Sequence, residues 1–346
     1  MNASRIFETI SELVMGHSPS GVECEVDMLL QERFRELGLE SHSDASGNLI
    51  CRIPGTDGGR LAITAHKDEI GAIVTSLEEQ GRVRVHKLGG SYPWVYGEGV
   101  MDLLGDSRCV SGILSFGSRH VTHASPQRAQ QDTAPLLWKD AWIETMLTAD
   151  ELAEAGVRVG TRVVVGKHRK AALRIKNYVA SYTLDNKASL AILLELARRL
   201  KAPRPDVYLV ASAKEEVGGI GALYFARSNP VDALIALEIA PLAPEYSIEN
   251  AAAPVLFAAD AVCPYDEALN DAIRRAAASV GVPMQMAVAS AFGSDASFSL
   301  KAGHVGRGAC LGFPTQNTHG YEIADLCAME RCVDVLEVIC NQSVCR

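Results

Sequence analysis

The sequence lacks a long uninterrupted apolar run. Nowhere in its 346 residues does such a run reach the roughly 18 residues that a membrane-spanning helix needs. The first residues, MNASRIFETISELVMGH, form an acidic amphipathic pattern without the basic start of a secretory signal. We therefore predict a cytoplasmic protein with no membrane partner.

Positive charge is also scarce in this chain. Lys and Arg number 33 against 42 Asp and Glu, which gives a formal net charge of -9. Because nucleic acids attract basic surfaces, this balance predicts no nucleic-acid partner.

The cysteines form no recognisable framework. There are nine of them, an odd number, and no CxxC pair occurs. Neither a disulfide scaffold nor a zinc ribbon is indicated, so reduced thiols are expected.

Two kinds of sequence pattern alternate along the chain. The chain is long enough for about two domains. Residues 1–73 and 170–346 combine apolar strand-like runs with helical spacing, including one helix pattern over 322–340. Residues 74–169 instead carry short strand-like pieces, glycine turns and polar loops. This arrangement predicts an α/β domain interrupted by a small β-rich insertion.

Charged side chains stand where one buried run ends. The run VYLVASA at 207–213 stops at Lys214, Glu215 and Glu216, which precede a glycine-rich turn. Ligands of open α/β sheets bind outside the carboxyl ends of strands. Adjacent residues point in different directions, so one glutamate can ligate a metal while the other acts as a general base. An isolated Glu-Glu pair is more often a solvated turn, so this interpretation depends on the other motifs.

A second polar cluster interrupts the apolar run LAITAHKDEIGAIV at 61–74. On an extended backbone His66 and Asp68 share a face. This suits a metal-ligating imidazole that a nearby carboxylate orients. A surface strand end with an incidental ion pair explains the motif equally well.

Asp185, Glu238 and His319 occupy comparable positions further along the chain. Glu238 lies inside an apolar run, where a glutamate needs a partner. The five places together supply imidazoles and carboxylates, a mixture that suits Zn, Co or Mn. They exceed the three protein ligands of one catalytic zinc, so we predict a two-metal site with a shared carboxylate.

Five motifs together resemble the M42 family of dinuclear metallo-aminopeptidases: AHKDEIG at 65–71, LDNKAS at 184–189, KEEVGGIGA at 214–222, GSDAS at 293–297 and THGYE at 318–322. Their order and spacing match along nearly the whole chain. The resemblance implies an α/β fold with a mixed-sheet, zinc-peptidase-like catalytic domain that has helices on both faces. Residues 1–73 and 170–346 would form that domain, and residues 74–169 an inserted small β-rich assembly (dimerisation) domain.

The resemblance also implies roles for individual residues. It implies two divalent metal ions per subunit, Zn, Co or Mn, with these ligands: Asp185 as the bridge, His66 and Glu238 for one metal, Glu216 and His319 for the other. Glu215 would be the general base, and Asp68 would orient His66.

The implied activity is that of an aminopeptidase that removes N-terminal residues from short peptides. Two metals would activate a water whose proton Glu215 accepts. The family further implies a large homo-oligomer, typically a tetrahedral dodecamer. Two alternatives stay open: a related dinuclear metallo-carboxypeptidase or deacylase, and a non-catalytic metal-binding assembly protein.

Three positions depart from the family pattern. Glu238 stands where Asp is more common, Lys67 where Met is expected and Lys187 where Arg is expected. The longer Glu238 slightly favours the carboxypeptidase or deacylase alternative. The two lysines would alter the local electrostatic field without removing a predicted metal ligand.

Overall fold

A computed structural model describes residues 2–125 and 127–342 of the chain. The chain divides into two units: Met1–Glu69 with Ala171–Arg346, and Ile70–Lys170. Among the helices of the described residues, none is long and apolar enough to cross a membrane.

The strands of the described residues, in chain order, are β1 (Ser41–Ser43), β2 (Leu49–Ile53), β3 (Arg60–His66), β4 (Gly71–Leu77), β5 (Arg82–Leu88), β6 (Gly99–Leu104), β7 (Cys109–Ser115), β8 (Trp142–Glu144), β9 (Arg162–Val165), β10 (Leu173–Ile175), β11 (Tyr178–Tyr182), β12 (Asp206–Ser212), β13 (Ala233–Pro241), β14 (Val255–Ala259), β15 (Gln285–Val288), β16 (Gly308–Gln316) and β17 (Tyr321–Asp325). The α-helices of the same residues are α1 (Asn2–Leu13), α2 (Cys24–Glu36), α3 (Pro93–Tyr96), α4 (Gln127–Asp132), α5 (Ala149–Glu154), α6 (Leu184–Arg199), α7 (Ile220–Ser228), α8 (Glu267–Ser279), α9 (Asp295–Lys301) and α10 (Leu326–Cys340).

An 11-stranded mixed sheet is the centre of the first unit. Its main path has the order β1-β2-β12-β3-β13-β16-β17-β11-β10, and β14 pairs with both β16 and β15. Strand β3 runs parallel to β12 and β13, whereas β2 and β17 pair antiparallel with their neighbours.

Both faces of this sheet are covered by helices. On β3, Leu61 and Ile63 belong to the apolar core that includes side chains of α1, α2, α6, α8 and α10. Ala62 points the other way, into the core that contains Phe225 of α7 and Ala296 of α9. Successive side chains of a strand alternate between faces, and a strand covered on both sides is a nearly continuous apolar run. The predicted α/β class with helices on both faces is confirmed.

The second unit contains a closed barrel with the strand order β4-β5-β8-β7-β6-β9. Its pairs are antiparallel, and aliphatic side chains such as Val83, Leu103 and Val163 are fully buried. The small β-rich domain of the predicted fold class is therefore confirmed. The domain boundaries and the assembly role stay predictions.

The helix predicted over 322–340 begins only at Leu326. Glu322 lies in β17 instead, directly opposite Ser181 of β11. The Asp325 side chain accepts the N–H of Cys327 at 2.7 Å and caps α10. The strand pairing and this cap override the helical apolar spacing at the start of the segment.

Candidate metal centre

The carboxyl ends of three parallel strands, β12, β3 and β13, meet at one edge of the sheet. His66 is the last residue of β3, and Glu238 lies in the second half of β13. Glu215 and Glu216 follow β12 in the turn that leads to α7. These four side chains are thus carried by neighbouring strands at the same edge.

Two further residues reach this edge from strands that lie beyond β13 in the sheet order. Asp185 lies in the first turn of α6, directly after β11. His319 lies between β16 and β17 with a φ of 62°, a left-handed conformation that is uncommon for a residue other than glycine.

The five predicted ligands form two groups that share Asp185. One group is His66, Asp185 and Glu238, and the other is Asp185, Glu216 and His319; within each, ligand atoms lie within 4.8 Å of one another. The two oxygens of Asp185 face different imidazoles: Oδ1 is 3.0 Å from His66 Nε2, and Oδ2 is 3.4 Å from His319 Nε2. A bridging carboxylate needs such a geometry. The assignment of these residues as ligands stays a prediction.

Burial shifts the pKa values of this cluster. It raises the pKa of Glu216 to about 7 and that of Glu238 well above its ordinary value, although a nearby imidazole opposes each shift. Burial disfavours the charged form of His319, but the carboxylates of Glu216 and Asp185 outweigh it and raise the pKa to about 11. The site therefore concentrates carboxylates that are costly to ionise together without a cation.

Glu215 adjoins the first ligand group. Its Oε2 lies 4.0 Å from His66 Nε2. Burial raises the pKa of Glu215 well above its usual range; His66 opposes this shift, and Glu216 and Asp295 add to it. Its position beside the ligand group makes the Glu215 carboxylate the candidate proton acceptor of the site.

Asp68 has more contacts than the sequence indicated. The Nδ1 atom of His66 lies 3.0 Å from the Asp68 backbone carbonyl and 3.6 Å from its carboxylate. The carboxylate itself accepts the N–H groups of Glu215 at 2.9 Å and Glu216 at 3.2 Å, and the Ser20 hydroxyl at 2.6 Å. Its predicted role in orienting His66 stays a prediction, and the contacts add a link to the Glu215-Glu216 turn.

Glu322 is a site neighbour to which the sequence pattern assigned no role. It is 1% exposed, and its carboxylate accepts the backbone N–H of Asp185 at 2.9 Å and that of His319 at 3.0 Å. The motif THGYE contains this residue, but local spacing does not indicate that it contacts Asp185.

The two unexpected lysines are fully buried beside carboxylates. Lys67 Nζ donates to the Gly47 carbonyl at 2.6 Å and pairs with Asp27. Lys187 Nζ donates to the Gly16 carbonyl at 2.8 Å and pairs with Glu69 at 3.2 Å. Both departures from the family pattern are thus matched by acidic partners.

The chemistry of the donor set fits divalent metal ions. Each group offers imidazole nitrogen and carboxylate oxygen. The side chain of every member except His319 is at least nine-tenths buried. Zn, Co and Mn accept this mixture. A bound cation would also offset the repulsion between the buried carboxylates.

Solved structures define the class of fold. A TET aminopeptidase from a marine sediment archaeon of the Thaumarchaeota matches with a TM-score of 0.89 at 23% identity, covering 99% of this chain and 97% of that one. The TET1 peptidase of Pyrococcus horikoshii matches with a TM-score of 0.86 at 22% identity, covering 98% and 100%. The chain thus has the fold of these aminopeptidases.

The chain belongs to the M42 glutamyl aminopeptidase family, whose model matches residues 47–335. One relative is the candidate aminopeptidase SgcX of Escherichia coli (strain K12), which is 29% identical over 238 residues. That match spans 68% of this chain and 62% of the length of SgcX. The family resemblance found in the five motifs is confirmed.

Proposed function

We propose that this protein is a metal-dependent aminopeptidase that removes N-terminal residues from short peptides. The observation that carries the proposal is the pair of ligand groups that share Asp185, with Glu215 beside them. Membership of an aminopeptidase family supports the same activity.

Two divalent metal ions, Zn, Co or Mn, would be held at this site. The first would be held by His66, Asp185 and Glu238, and the second by Asp185, Glu216 and His319. When bound, such ions polarise a carbonyl and lower the pKa of a bound water.

Glu215 is the proposed general base. Its carboxylate beside the first ligand group would take the proton of the attacking water and return that proton to the leaving amine. Asp68 accepts the backbone N–H of Glu215 and so helps to hold the base in place.

Hydrolysis of aminoacyl p-nitroanilides, free and N-acetylated, tests this function. Protein stripped of metal with a chelator is assayed before and after Zn²⁺, Co²⁺ or Mn²⁺ is restored. We expect metal-dependent cleavage of the free-amine substrates only. Preference for acetylated substrates would support the deacylase alternative, and metal binding without turnover would support a non-catalytic protein.

Substitution of Glu215 tests its proposed role as the general base. Glu215→Gln keeps the size of the side chain but cannot accept the proton, so kcat should fall by about 10²–10⁴-fold. Calorimetric titration should show metal affinity close to that of the wild type. An active Glu215→Gln enzyme would refute the assigned role.

We also propose that the unit Ile70–Lys170 mediates assembly into a homo-oligomer. Tyr92 and Trp94 are 55% and 61% exposed there, and their rings lie 5.9 Å apart. Exposed neighbouring aromatics are typical of interaction sites. The TET1 peptidase, which shares the fold, is described as assembling into a tetrahedron or a large octahedral shell.

A further inference from the structure

Glu322 joins two segments of chain that are remote in sequence. Its Oε2 accepts the N–H of Asp185, 137 residues earlier, and its Oε1 accepts the N–H of His319. Each carboxylate oxygen therefore holds a different backbone segment. Both segments carry members of the same ligand group, the one that Glu216 completes.

The elements around Glu322 give this contact a defined geometry. Glu322 stands on β17 opposite Ser181 of β11, and β11 leads within a few residues to Asp185. The turn that carries His319 leads directly into β17. The strand pairing thus fixes Glu322 between the two amides, so its carboxylate can set the distance between the segments.

We propose that Glu322 is a positioning residue that sets the separation of Asp185 and His319, and thereby the affinity of the metal site they form with Glu216. This inference rests on the proposed metal-dependent function. The other ligand group has additional supports: His66 contacts the Asp68 carbonyl, and Glu238 accepts an N–H of Asn186 at 3.3 Å. Loss of the Glu322 carboxylate should therefore weaken one metal site more than the other.

Glu322→Gln is the direct test because it retains the size of the side chain. The amide offers one acceptor oxygen, and its NH₂ group cannot accept the second backbone N–H. Partners that orient metal ligands typically contribute about 10–100-fold in affinity. In calorimetric titration of the metal-stripped full chain with Zn²⁺, we expect one equivalent to bind with an affinity within about threefold of wild type and the other to weaken by about 10–100-fold.

Asp325→Asn is the matched control. Asp325 lies on the same strand and also accepts a backbone N–H, but the donor is Cys327, which is in neither ligand group. Both equivalents should bind to this variant as they do to the wild type. Titration with Co²⁺ adds a spectroscopic readout. In Glu322→Gln, only the absorption band of the Co²⁺ ion at the weakened site should change.

The outcomes separate the positioning role from a general structural one. Unchanged binding of both equivalents to Glu322→Gln, or equal weakening of both, overturns the inference. If Glu322→Gln does not fold, Glu322→Asp keeps both acceptors on a shorter side chain and should show the same selective loss. If the wild type itself binds fewer than two equivalents, the proposed two-metal function fails, and the inference fails with it.

Discussion

At the scale of single residues, carboxylates around the candidate metal centre have two different tasks. Asp185 directs its two oxygens toward two imidazoles. Asp68 and Glu322 instead accept backbone N–H groups of neighbouring site residues. Charge-assisted bonds to buried amides are strong and directional, so these two residues can hold the candidate site residues in place without binding metal themselves.

The ion pair between Lys187 and Glu69 gives a prediction at the same scale. Both side chains are at most 1% exposed and lie 3.2 Å apart. Lys187→Met should lower the free energy of unfolding by about 3–5 kcal/mol, because the Glu69 charge then stays buried without its cation. Urea unfolding of the metal-stripped protein measures the change.

The double variant Lys187→Met with Glu69→Gln is the control for this effect. Replacing both charges should recover part of the lost free energy. A single variant within about 0.5 kcal/mol of wild type would show that the pair does not stabilise the fold.

At the scale of elements, Glu195 connects three helices. Glu195 lies in α6, and its carboxylate accepts hydrogen bonds from the guanidinium groups of Arg5 in α1 at 3.1 Å and Arg198 at 2.6 Å. Arg199, which also contacts Glu195, reaches Asp334 of α10 at 2.6 Å. Burial opposes ionisation of Glu195, but the hydrogen bonds from the three arginines outweigh it and lower its pKa to about 2.

This shift predicts a stability loss in acid. A carboxylate whose folded pKa lies below its ordinary value of 4.5 stabilises the fold above that value, and its contribution disappears as the pH falls from about 4.5 to about 2. Glu195→Gln should therefore be less stable than wild type by about 3 kcal/mol at pH 7, and the difference should shrink toward pH 2. Denaturant unfolding across this range checks the sign. Glu8→Gln, at an exposed position of α1, should match wild type throughout.

The start of α7 gives a second prediction at this scale. Gly221 donates to the Ala213 carbonyl at 2.9 Å, and its own carbonyl accepts an N–H of Asn48 at 2.9 Å. A Cβ on Gly221 would overlap Ala213 and Asn48. Gly221→Ala should therefore lower the unfolding free energy by about 1–3 kcal/mol and weaken metal binding, because the turn with Glu215 and Glu216 must shift.

Gly306→Ala is the matched glycine control. A Cβ at Gly306 meets no atom within 4 Å, and its φ is not in the left-handed region. Its stability and metal affinity should equal those of the wild type. Equal effects of the two substitutions would exclude the steric explanation.

At the scale of the whole molecule, the proposed assembly predicts a mass far above 37.1 kDa. Twelve copies, as in the tetrahedral dodecamer that the family implies, would give about 445 kDa in light scattering. Trp94→Lys places a charge on the exposed aromatic pair and should reduce this mass. Met28→Lys, at a residue of the first unit that is also 61% exposed, should not. A monomeric wild type would contradict the proposal.

Much of the fold and the candidate site could be predicted from local pattern. The apolar runs of β3 and β12 indicated buried strands, because a strand covered on both faces is a nearly continuous apolar run. The acids and histidines at strand ends indicated one shared crevice, because ligands of open α/β sheets bind outside the carboxyl ends of strands. The helix predicted over 322–340 was wrong at its start, since helical spacing alone does not reveal a strand partner.

Local apolar patterns were therefore sufficient for the α/β class and for the side chains at the strand ends, whereas the family followed from the resemblance of the five motifs. The two-oxygen contact of Asp185, the amide bonds of Glu322 and the acidic partners of the buried lysines followed only from packing. Except for the bond between Glu322 and His319, which are three residues apart, each of these contacts joins residues that lie 40 to 137 positions apart. Strand order and register bring such residues together, and neither can be predicted from the residue spacing within a single segment.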